Sequence, residues 1–361
     1  MMGRSLRSML NRYEPASMQG LGLPVEQWED ARGAKVSGRI DFTSGLLVAN
    51  IGHDRDEIVD ALRNTRDWTA WYSPTPRRLN AYRALAYVLP WRKFVLLNSG
   101  SEAIDCAIKV CRDNGYEPVA LPFHYWGSTI GASALADAVA SKEGTKVAWF
   151  LQAFHGPTCR WLDTYQAAHY LSLQLAGDIL VFDENQAGVG RTGRWWGYQW
   201  LGIDPDIVVG GKAIAGGVPC AFVAGKPKLM DTNPKADYPS TFSANAFACE
   251  AMIETLRIMK AERLVSRAHT IGQAIERWTD TLGMGTRKGM VGIHGRGAAW
   301  AIAFDKQSTV DAIAARCLKH GLIVMNTYQR TVKIAPPLVI SDTQLEHGLL
   351  ILRGAIEEET R

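Results

Sequence analysis

Short apolar segments alternate with helical patterns through the middle of the chain. The apolar segments predict strands, and they are FVLLN (94–98), PVALPF (118–123), KVAWFL (146–151), DILVFD (178–183), DIVVGG (206–211) and CAFVAG (220–225). Between the first two, residues 101–113 repeat apolar side chains at i, i+3, i+4 and i+7 from Ile104, which predicts a helix. Ser99 or Ser101 can cap its start. The alternation predicts an α/β fold with a mostly parallel central sheet that helices cover.

The pattern changes near residue 285. The segment GRGAAWAIAF, a helix near 308–320, the short runs GLIVMN and TVKIAPPL, and a final helix from about 341 to 357 predict a small α+β C-terminal domain. We therefore predict three parts: an N-terminal arm over residues 1–40, a large α/β domain over 41–284 and a small domain over 285–361. We expect the arm to pack on a neighbouring subunit or on the C-terminal domain.

Composition and charge exclude several classes of function. With 47% hydrophobic residues over 361, the chain can bury a sizeable core. Its 40 Lys and Arg against 36 Asp and Glu are scattered, so we expect no nucleic-acid partner. No apolar run approaches the ~20 residues of a membrane helix, and the basic start lacks a secretory signal, so we expect a cytoplasmic protein without a membrane partner.

The six cysteines contain no CxxC pair, and most lie in apolar runs such as VPCAFVAG. Buried thiols that form no disulfide are the better interpretation of this pattern than a disulfide framework or a zinc site. We therefore expect no metal site.

Polar and glycine residues follow the predicted strands, where ligands collect in open α/β sheets. Asn98-Ser99-Gly100-Ser101 opens a helix with outward N–H groups that suit a phosphate, although an ordinary capped helix start has the same pattern. Asp183 ends an apolar strand, where burial is costly unless a donor or cation such as a protonated pyridine nitrogen meets it. By itself this aspartate could equally cap a turn or bind a metal.

Lys212 lies between the apolar segments VVGG and AIAGGVP. Loss of solvation lowers the pKa of such an amine and makes it available to form an imine. A snorkelling or ion-paired lysine is the alternative. A phosphate-binding turn, a carboxylate and an imine-forming lysine in this order are together far more specific than any one of them.

The order and spacing of these signals resemble the class III aminotransferases, the ornithine and acetylornithine aminotransferase branch of the fold type I enzymes that use pyridoxal 5'-phosphate (PLP). The resemblance runs from about Asp41 to Leu352. Its motifs are DFTSGLLVANIGH (41–53), NSGSEAIDCAIK (98–109), HYWGST (124–129), DENQAGVGRTG (183–193), PDIVVGGKAIAGGVP (205–219), STFSANAFACEA (240–251) and KIAPPL (333–338).

The resemblance implies a role for several residues of this chain. Lys212 would hold PLP as a Schiff base and then move the substrate Cα proton, with pyridoxamine 5'-phosphate as the intermediate form of the cofactor. Asp183 would keep the ring nitrogen protonated. The other implied cofactor-binding residues are Ser99, Gly100 and Ser101 for the phosphate, Gln186 for the phenolic oxygen, Tyr125 and Trp126 for ring stacking, and Thr241 for the phosphate of the neighbouring subunit in a homodimer.

Several positions depart from the family pattern. Asn185 stands where the family usually places Val over the ring, so ring packing there is polar and can alter substrate choice or reaction outcome. Gln152 stands where relatives carry the Glu of an EP motif, and Lys333 where relatives that bind an α-carboxylate often have Arg. Since lysine is a less selective carboxylate partner, the case for glutamate, ornithine or acetylornithine as substrate is weaker. Trp71 and Tyr72 lie where relatives place substrate-entry residues, although surface packing explains them equally well.

The leading hypothesis is an aminotransferase that moves an amino group from an amino acid or amine to a keto acid or aldehyde in two half-reactions. An alternative keeps PLP and changes the outcome: an aminomutase similar to glutamate-1-semialdehyde aminomutase, or a racemase or decarboxylase of the same fold. A non-catalytic protein on this fold is a third hypothesis, which the intact Lys212, Asp183 and phosphate turn disfavour.

Overall fold

The computed structural model describes residues 31–66, 74–120, 145–152, 154–155, 160–162, 164–233, 235, 238–283, 287–327 and 329–361. Its helices are α1 (Asp56–Arg63), α2 (Pro76–Val88), α3 (Gly100–Asp113), α4 (Thr164–Leu175), α5 (Pro227–Met230), α6 (Ala246–Ala261), α7 (Leu264–Asp280), α8 (Gln307–Lys319) and α9 (Asp342–Glu359). Short 3₁₀ turns cover Gly197–Trp200 and Lys212–Ala215.

Strands form at the apolar segments predicted from the sequence and at further short segments that the pattern did not predict. They are β1 (Lys35–Val36), β2 (Arg39–Asp41), β3 (Lys93–Leu97), β4 (Glu117–Ala120), β5 (Val147–Leu151), β6 (Phe154–His155), β7 (Arg160–Trp161), β8 (Ile179–Asp183), β9 (Ile207–Gly210), β10 (Ala221–Gly225), β11 (Met290–Arg296), β12 (Ala299–Phe304), β13 (Leu322–Ile323), β14 (Met325–Thr327) and β15 (Thr331–Ile334). All six strands predicted for the central sheet are present, each within two residues of the predicted segment except β4, whose predicted end lies outside the described residues.

The central sheet has the strand order β3-β10-β9-β8-β5-β4. Strands β4, β5, β8 and β9 run parallel to their neighbours in this series, and β10 runs antiparallel to both β9 and β3. The predicted mostly parallel sheet is therefore confirmed. Because β10 runs in the opposite direction, the residues that precede it lie at the same edge as the carboxyl ends of the parallel strands.

Both faces of this sheet are covered, which explains why its strands are apolar throughout. Phe182, Val208 and Phe222 pack into one core cluster, while their neighbours Val181 and Val209 pack into a second cluster on the other face. Helix α3 supplies much of the second cluster, and α6 and α7 contribute to the first. Every residue of β8 and of β10 is buried.

The C-terminal part of the chain forms an antiparallel sheet of order β11-β12-β15-β14 together with α8 and α9. The predicted α+β pattern is therefore confirmed. A three-stranded sheet, β1-β2-β13, joins this part to residues 35–41, because β2 pairs with β13 in parallel. The boundaries at residues 40 and 284 remain predictions, as does the packing of the N-terminal arm, most of which lies outside the described residues.

Candidate active site

The register of the central sheet brings its strand ends together at one edge. Asp183 is the partner of Val209 in β9, and Phe182 is the partner of Leu151 in β5. The ends of β5, β8 and β9 therefore lie side by side. Gln152 follows β5, Asp183 ends β8 and Gly211-Lys212 follow β9, so these residues share one edge of the sheet. On the other side β3 ends there as well, because Leu97 is the partner of Ala221 at the start of β10.

Helix α3 begins at this edge directly after β3. Ser99 is its N-cap, and its hydroxyl accepts a hydrogen bond from the backbone N–H of Glu102 at 3.2 Å. The Glu102 carboxylate accepts in return from the backbone N–H of Asn98 at 2.9 Å. The predicted helix start is confirmed, with Ser99 as the cap. A helix of 14 residues presents the positive end of its dipole and the N–H groups of its first turn at Gly100 and Ser101, which suits an anion.

Asp183 is a buried carboxylate surrounded by hydrogen-bond donors. Its Oδ2 accepts from Gln152 Nε2 at 2.9 Å, and its Oδ1 accepts from the backbone N–H and the Nδ2 of Asn185 at 2.9 and 2.7 Å. Burial raises the pKa of Asp183 above its ordinary value, while these hydrogen bonds and the charge of Lys212 oppose the rise. A cation placed against this carboxylate would favour its ionised form.

Lys212 opens the 3₁₀ turn that follows β9. Burial lowers the pKa of its amine, and the negative charge of Asp183 opposes that change. The backbone of Lys212 has φ +45°, a left-handed conformation that is strained for a residue with a side chain. Strain of this kind concentrates at functional sites. A lowered pKa favours the neutral amine that imine formation requires.

Gln186 contacts the C-terminal sheet through Lys333 of β15. The Lys333 Nζ donates to the Gln186 Oε1 at 3.0 Å, and Lys333 is 1% exposed. Since an ammonium group only donates, the oxygen of the amide faces Lys333 and the Nε2 can donate elsewhere. That orientation suits a partner that accepts, such as a phenolic oxygen.

Asn185 lies in a slot between two glycines. A Cβ added to Gly100 would come within 2.7 Å of the Asn185 Oδ1, and one added to Gly211 within 2.5 Å. The polar side chain thus occupies space between the start of α3 and the residue that precedes Lys212. Only glycine leaves room for it on both sides.

The sequence pattern did not single out Glu184. It is 1% exposed, and its carboxyl accepts from the backbone N–H groups of Gly197 and Tyr198 at 2.6 and 2.8 Å. Burial raises the pKa of Glu184 to about 8. The sequence offered one signal, a second acid directly after Asp183, but the contact of Glu184 with the Gly197–Trp200 turn is visible only in the structure.

Arg191 was also missed, although a charged residue within the glycine-rich run AGVGRTG was a possible signal. Its guanidinium is 1% exposed and donates to the Pro336 carbonyl at 2.5 Å, the Ala298 carbonyl at 3.1 Å and the Ser44 hydroxyl at 2.9 Å, and also to the Asn50 side chain. Arg191 therefore joins the segment after β8 to residues near both ends of the chain.

Ser44 begins a turn, Ser44–Leu47, whose four residues have left-handed φ values between +50° and +70°. This conformation is unfavourable for residues other than glycine. The Ser44 hydroxyl donates to the Ala335 carbonyl at 2.6 Å, and the Thr43 hydroxyl accepts from the backbone N–H of Gly45 at 3.1 Å. Polar contacts, including the one from Arg191, thus hold the strained turn beside β15.

Several predicted site residues lie outside the described residues: Tyr125, Trp126, Trp71 and Tyr72. Thr241 is described and is exposed in the subunit. The preceding Ser240 accepts a hydrogen bond from the Asn98 side chain at 2.8 Å, which places this loop beside the start of α3.

Five cysteines, Cys106, Cys111, Cys220, Cys249 and Cys317, are buried thiols without a disulfide, as predicted, and Cys159 lies outside the described residues. In the described part of the chain no three His, Cys, Asp or Glu side chains are placed to hold a metal ion. None of the helices described combines the length and apolar character that crossing a bilayer requires.

The arrangement fits PLP. A helix start suits its phosphate, a buried carboxylate suits its ring nitrogen, and a lysine of lowered pKa suits its aldehyde. Together with the mostly parallel sheet, this defines the fold type I class of PLP-dependent enzymes.

The family model for class III aminotransferases matches residues 25–172 and 166–356, and the chain belongs to this family. It is 28% identical to an ornithine aminotransferase of Emericella nidulans over 88% of this chain and 82% of the relative. It is 25% identical to an acetylornithine aminotransferase of Archaeoglobus fulgidus (91% and 94% covered) and to a 5-aminovalerate aminotransferase of Pseudomonas aeruginosa (99% and 100%). The protein is therefore an aminotransferase that depends on PLP.

The fold agrees with solved structures. The ornithine aminotransferase of Toxoplasma gondii superposes with a TM-score of 0.86 at 22% identity, covering 98% of this chain and 95% of that one. An S-selective transaminase from an Arthrobacter species gives 0.83 at 19% identity, covering 99% and 96%. At these identities the likeness shows the fold, and the predicted fold type I architecture is confirmed.

Proposed function

We propose that Lys212 holds PLP as a Schiff base and that Asp183 pairs with its ring nitrogen during amino-group transfer. The observation that carries this proposal is the placement of both groups. Lys212 follows β9 and Asp183 ends the neighbouring β8, so both lie at one edge of the sheet. The charge of each group shifts the pKa of the other. Burial favours the neutral amine, and three donated hydrogen bonds favour the ionised carboxylate.

Bound PLP withdraws electrons from the Cα of an amino donor, which makes the Cα proton acidic. Lys212 would take that proton on its Nζ and return it to the cofactor carbon, because its lowered pKa favours the neutral amine, which can accept a proton. Asp183 would hold the proton on the ring nitrogen. Gln186, oriented by Lys333, would donate to the phenolic oxygen.

Ser99, Gly100 and Ser101 would bind the phosphate at the start of α3. Thr241 would reach the phosphate of a second subunit, so a complete site would exist only in a homodimer. Its exposure in the subunit supports this role. A cytoplasmic location, the ring-stacking roles of Tyr125 and Trp126 and the substrate-entry roles of Trp71 and Tyr72 remain predictions from the sequence.

For the amino donor we propose a class of compounds. The similar proteins are named for ornithine, acetylornithine and 5-aminovalerate, all of which carry an amine and a carboxylate on a short aliphatic chain. We propose a donor of this class, with its carboxylate bound by Lys333, the cation of β15 that contacts Gln186. A panel of such donors, followed by formation of the pyridoxamine form, tests the class. Activity only with amines that lack a carboxylate would contradict it.

The attachment of PLP is tested by borohydride reduction of the loaded enzyme, digestion and mass spectrometry. The expected result is the added mass of reduced pyridoxyl phosphate on the peptide that contains Lys212. Lys226, which is paired with Asp206 by a 2.9 Å contact away from the edge, is the matched control and should carry none. Label on any other lysine, or none, would overturn the assignment.

A further inference from the structure

We infer that Asn185 is a positioning residue that keeps Asp183 ionised toward the ring nitrogen of PLP. The inference rests on the role proposed above for Asp183, and it assigns a distinct task to the amide beside it. Val, the usual residue of the family at this position, keeps the backbone N–H but has no side-chain donor for this task.

The hydrogen bonds to Asp183 determine how the Asn185 amide is oriented. An ionised carboxylate only accepts, so the Asn185 Nδ2 must face the Asp183 Oδ1, from which it lies 2.7 Å. The backbone N–H of Asn185 reaches the same oxygen at 2.9 Å. The residue therefore contributes two of the three described donors to the carboxylate, and the third comes from Gln152.

The oxygen of the Asn185 amide shows that packing alone does not account for an asparagine at this position. The Asn185 Oδ1 is buried and has no hydrogen-bond partner among the described residues. It lies instead against the backbones of Gly100 and Gly211. A buried acceptor without a donor is unfavourable, and an apolar side chain would fill such a slot without that penalty. The contact with Asp183 is the compensating gain.

The charged and titratable groups around Asp183 show why extra donors matter. Burial raises its pKa, and the neighbouring Glu184 is itself a buried carboxyl. Lys212 opposes the rise, but burial also lowers the pKa of that amine. A protonated Asp183 would not stabilise a positive ring nitrogen. Hydrogen bonds donated by Asn185 stabilise the ionised form and so keep the proton on the ring.

The test compares the affinity of the apoprotein for two probes. One is PLP, and the other is the carbocyclic analogue in which a C–H group replaces the ring nitrogen. Both carry the same phosphate and aldehyde, so only contacts with the ring nitrogen distinguish them. In Asn185→Val the Kd for PLP should rise about tenfold, as expected for a lost hydrogen bond to a charged group. The Kd for the analogue should change by less than about twofold, because it has no ring nitrogen to stabilise.

The control is Asn114→Val. This variant likewise removes hydrogen bonds donated by an asparagine Nδ2, here to the carbonyls of Val110 at 2.8 Å and Leu229 at 2.9 Å, but at the far end of α3. The Asn114→Val variant should have the same ratio of the two Kd values as the wild type. Asn185→Ala gives a second measurement if the valine variant unfolds, and the same selective loss is expected.

If the Kd values of both probes rise by the same factor in the Asn185 variants, the residue acts through packing and the inference is overturned. An unchanged Kd for PLP would overturn it as well. If the wild-type protein does not distinguish the two probes, the role of Asp183 fails, and the inference about Asn185 fails with it. That outcome is recognised in the wild type alone and is distinct from a failure of Asn185.

Discussion

The Nζ of Lys333 and the Oε1 of Gln186, 147 residues apart in sequence, lie 3.0 Å apart. This hydrogen bond connects a strand of the C-terminal sheet to the loop after β8. It orients the amide whose Nε2 is proposed to meet the phenolic oxygen of PLP. A change in the C-terminal part of the chain can therefore alter the binding of the cofactor.

Replacement of Lys333 by Met removes this donor and keeps a similar side-chain length. We expect the Kd for PLP to rise about five- to tenfold, because the Gln186 amide is no longer held with its Nε2 toward the phenolic oxygen. Equilibrium dialysis of the apoprotein measures it. Lys93→Met, which breaks an exposed ion pair with Asp231, is the control. An unchanged Kd in Lys333→Met would show that Gln186 is oriented without the lysine.

Lys212→Ala should abolish turnover, because no other group is assigned to the proton at Cα. The expected loss is at least about a thousandfold, at the upper part of the range for removal of a general acid–base group. Single-turnover kinetics with the variant reconstituted with PLP measure the loss. Circular dichroism checks that the fold is retained. Substantial transaminase activity in this variant would contradict the role.

Asp183→Asn should lower the rate by orders of magnitude while the volume of the side chain stays the same. A neutral amide cannot stabilise a positive ring nitrogen, so the electron withdrawal that acidifies the Cα proton is weakened. The rate of the half-reaction with an amino donor, measured from the cofactor absorbance, reports the loss. A rate near that of the wild type would argue against the pairing.

Glu184 should make the apoprotein less stable as the pH rises. Its pKa is about 8 in the folded state and 4.5 in the unfolded state. The folded state therefore binds the proton more tightly, and the stabilisation is fully present below about 4.5 and lost as the pH rises through about 8.

Denaturant unfolding between pH 5 and 8 tests this prediction about Glu184. In Glu184→Gln the side chain no longer titrates, so the fall in the free energy of unfolding should be smaller than in the wild type. An identical slope in the two proteins would show that other groups, such as Asp183, cause the dependence.

Arg191→Met should reduce the stability of the whole chain. The change leaves the Pro336 and Ala298 carbonyls and the Ser44 hydroxyl, all near the guanidinium, without their described donor. We expect a loss of about 3–5 kcal/mol in the free energy of unfolding, because several buried acceptors lose their donor at a cost of about 1–3 kcal/mol each. Urea denaturation measures it. Arg263→Met, at an exposed position between α6 and α7, should change stability by less than about 0.5 kcal/mol.

Much of the fold followed from local patterns. The buried strands β8, β9 and β10 were predicted from apolar runs, and α3 from its apolar repeat, because these patterns depend on neighbours in sequence. The candidate residues Asp183 and Lys212 could be chosen because each follows such a strand. The role of Asn185 could not be derived in full. The sequence indicated a polar group near the ring, and only the structure shows its hydrogen bond to Asp183.

The sequence by itself determined the order of strands and helices, the family resemblance and the residues proposed to hold PLP. The tertiary structure decided which distant groups meet, as with the side chains of Gln152 and Asp183, those of Lys333 and Gln186, and the Arg191 guanidinium with the Pro336 carbonyl. The physical reason is that a hydrophobic repeat depends only on residues a few positions apart in the sequence. A hydrogen bond between remote residues depends instead on strand register, side-chain rotamers and burial, which exist only once the chain has folded.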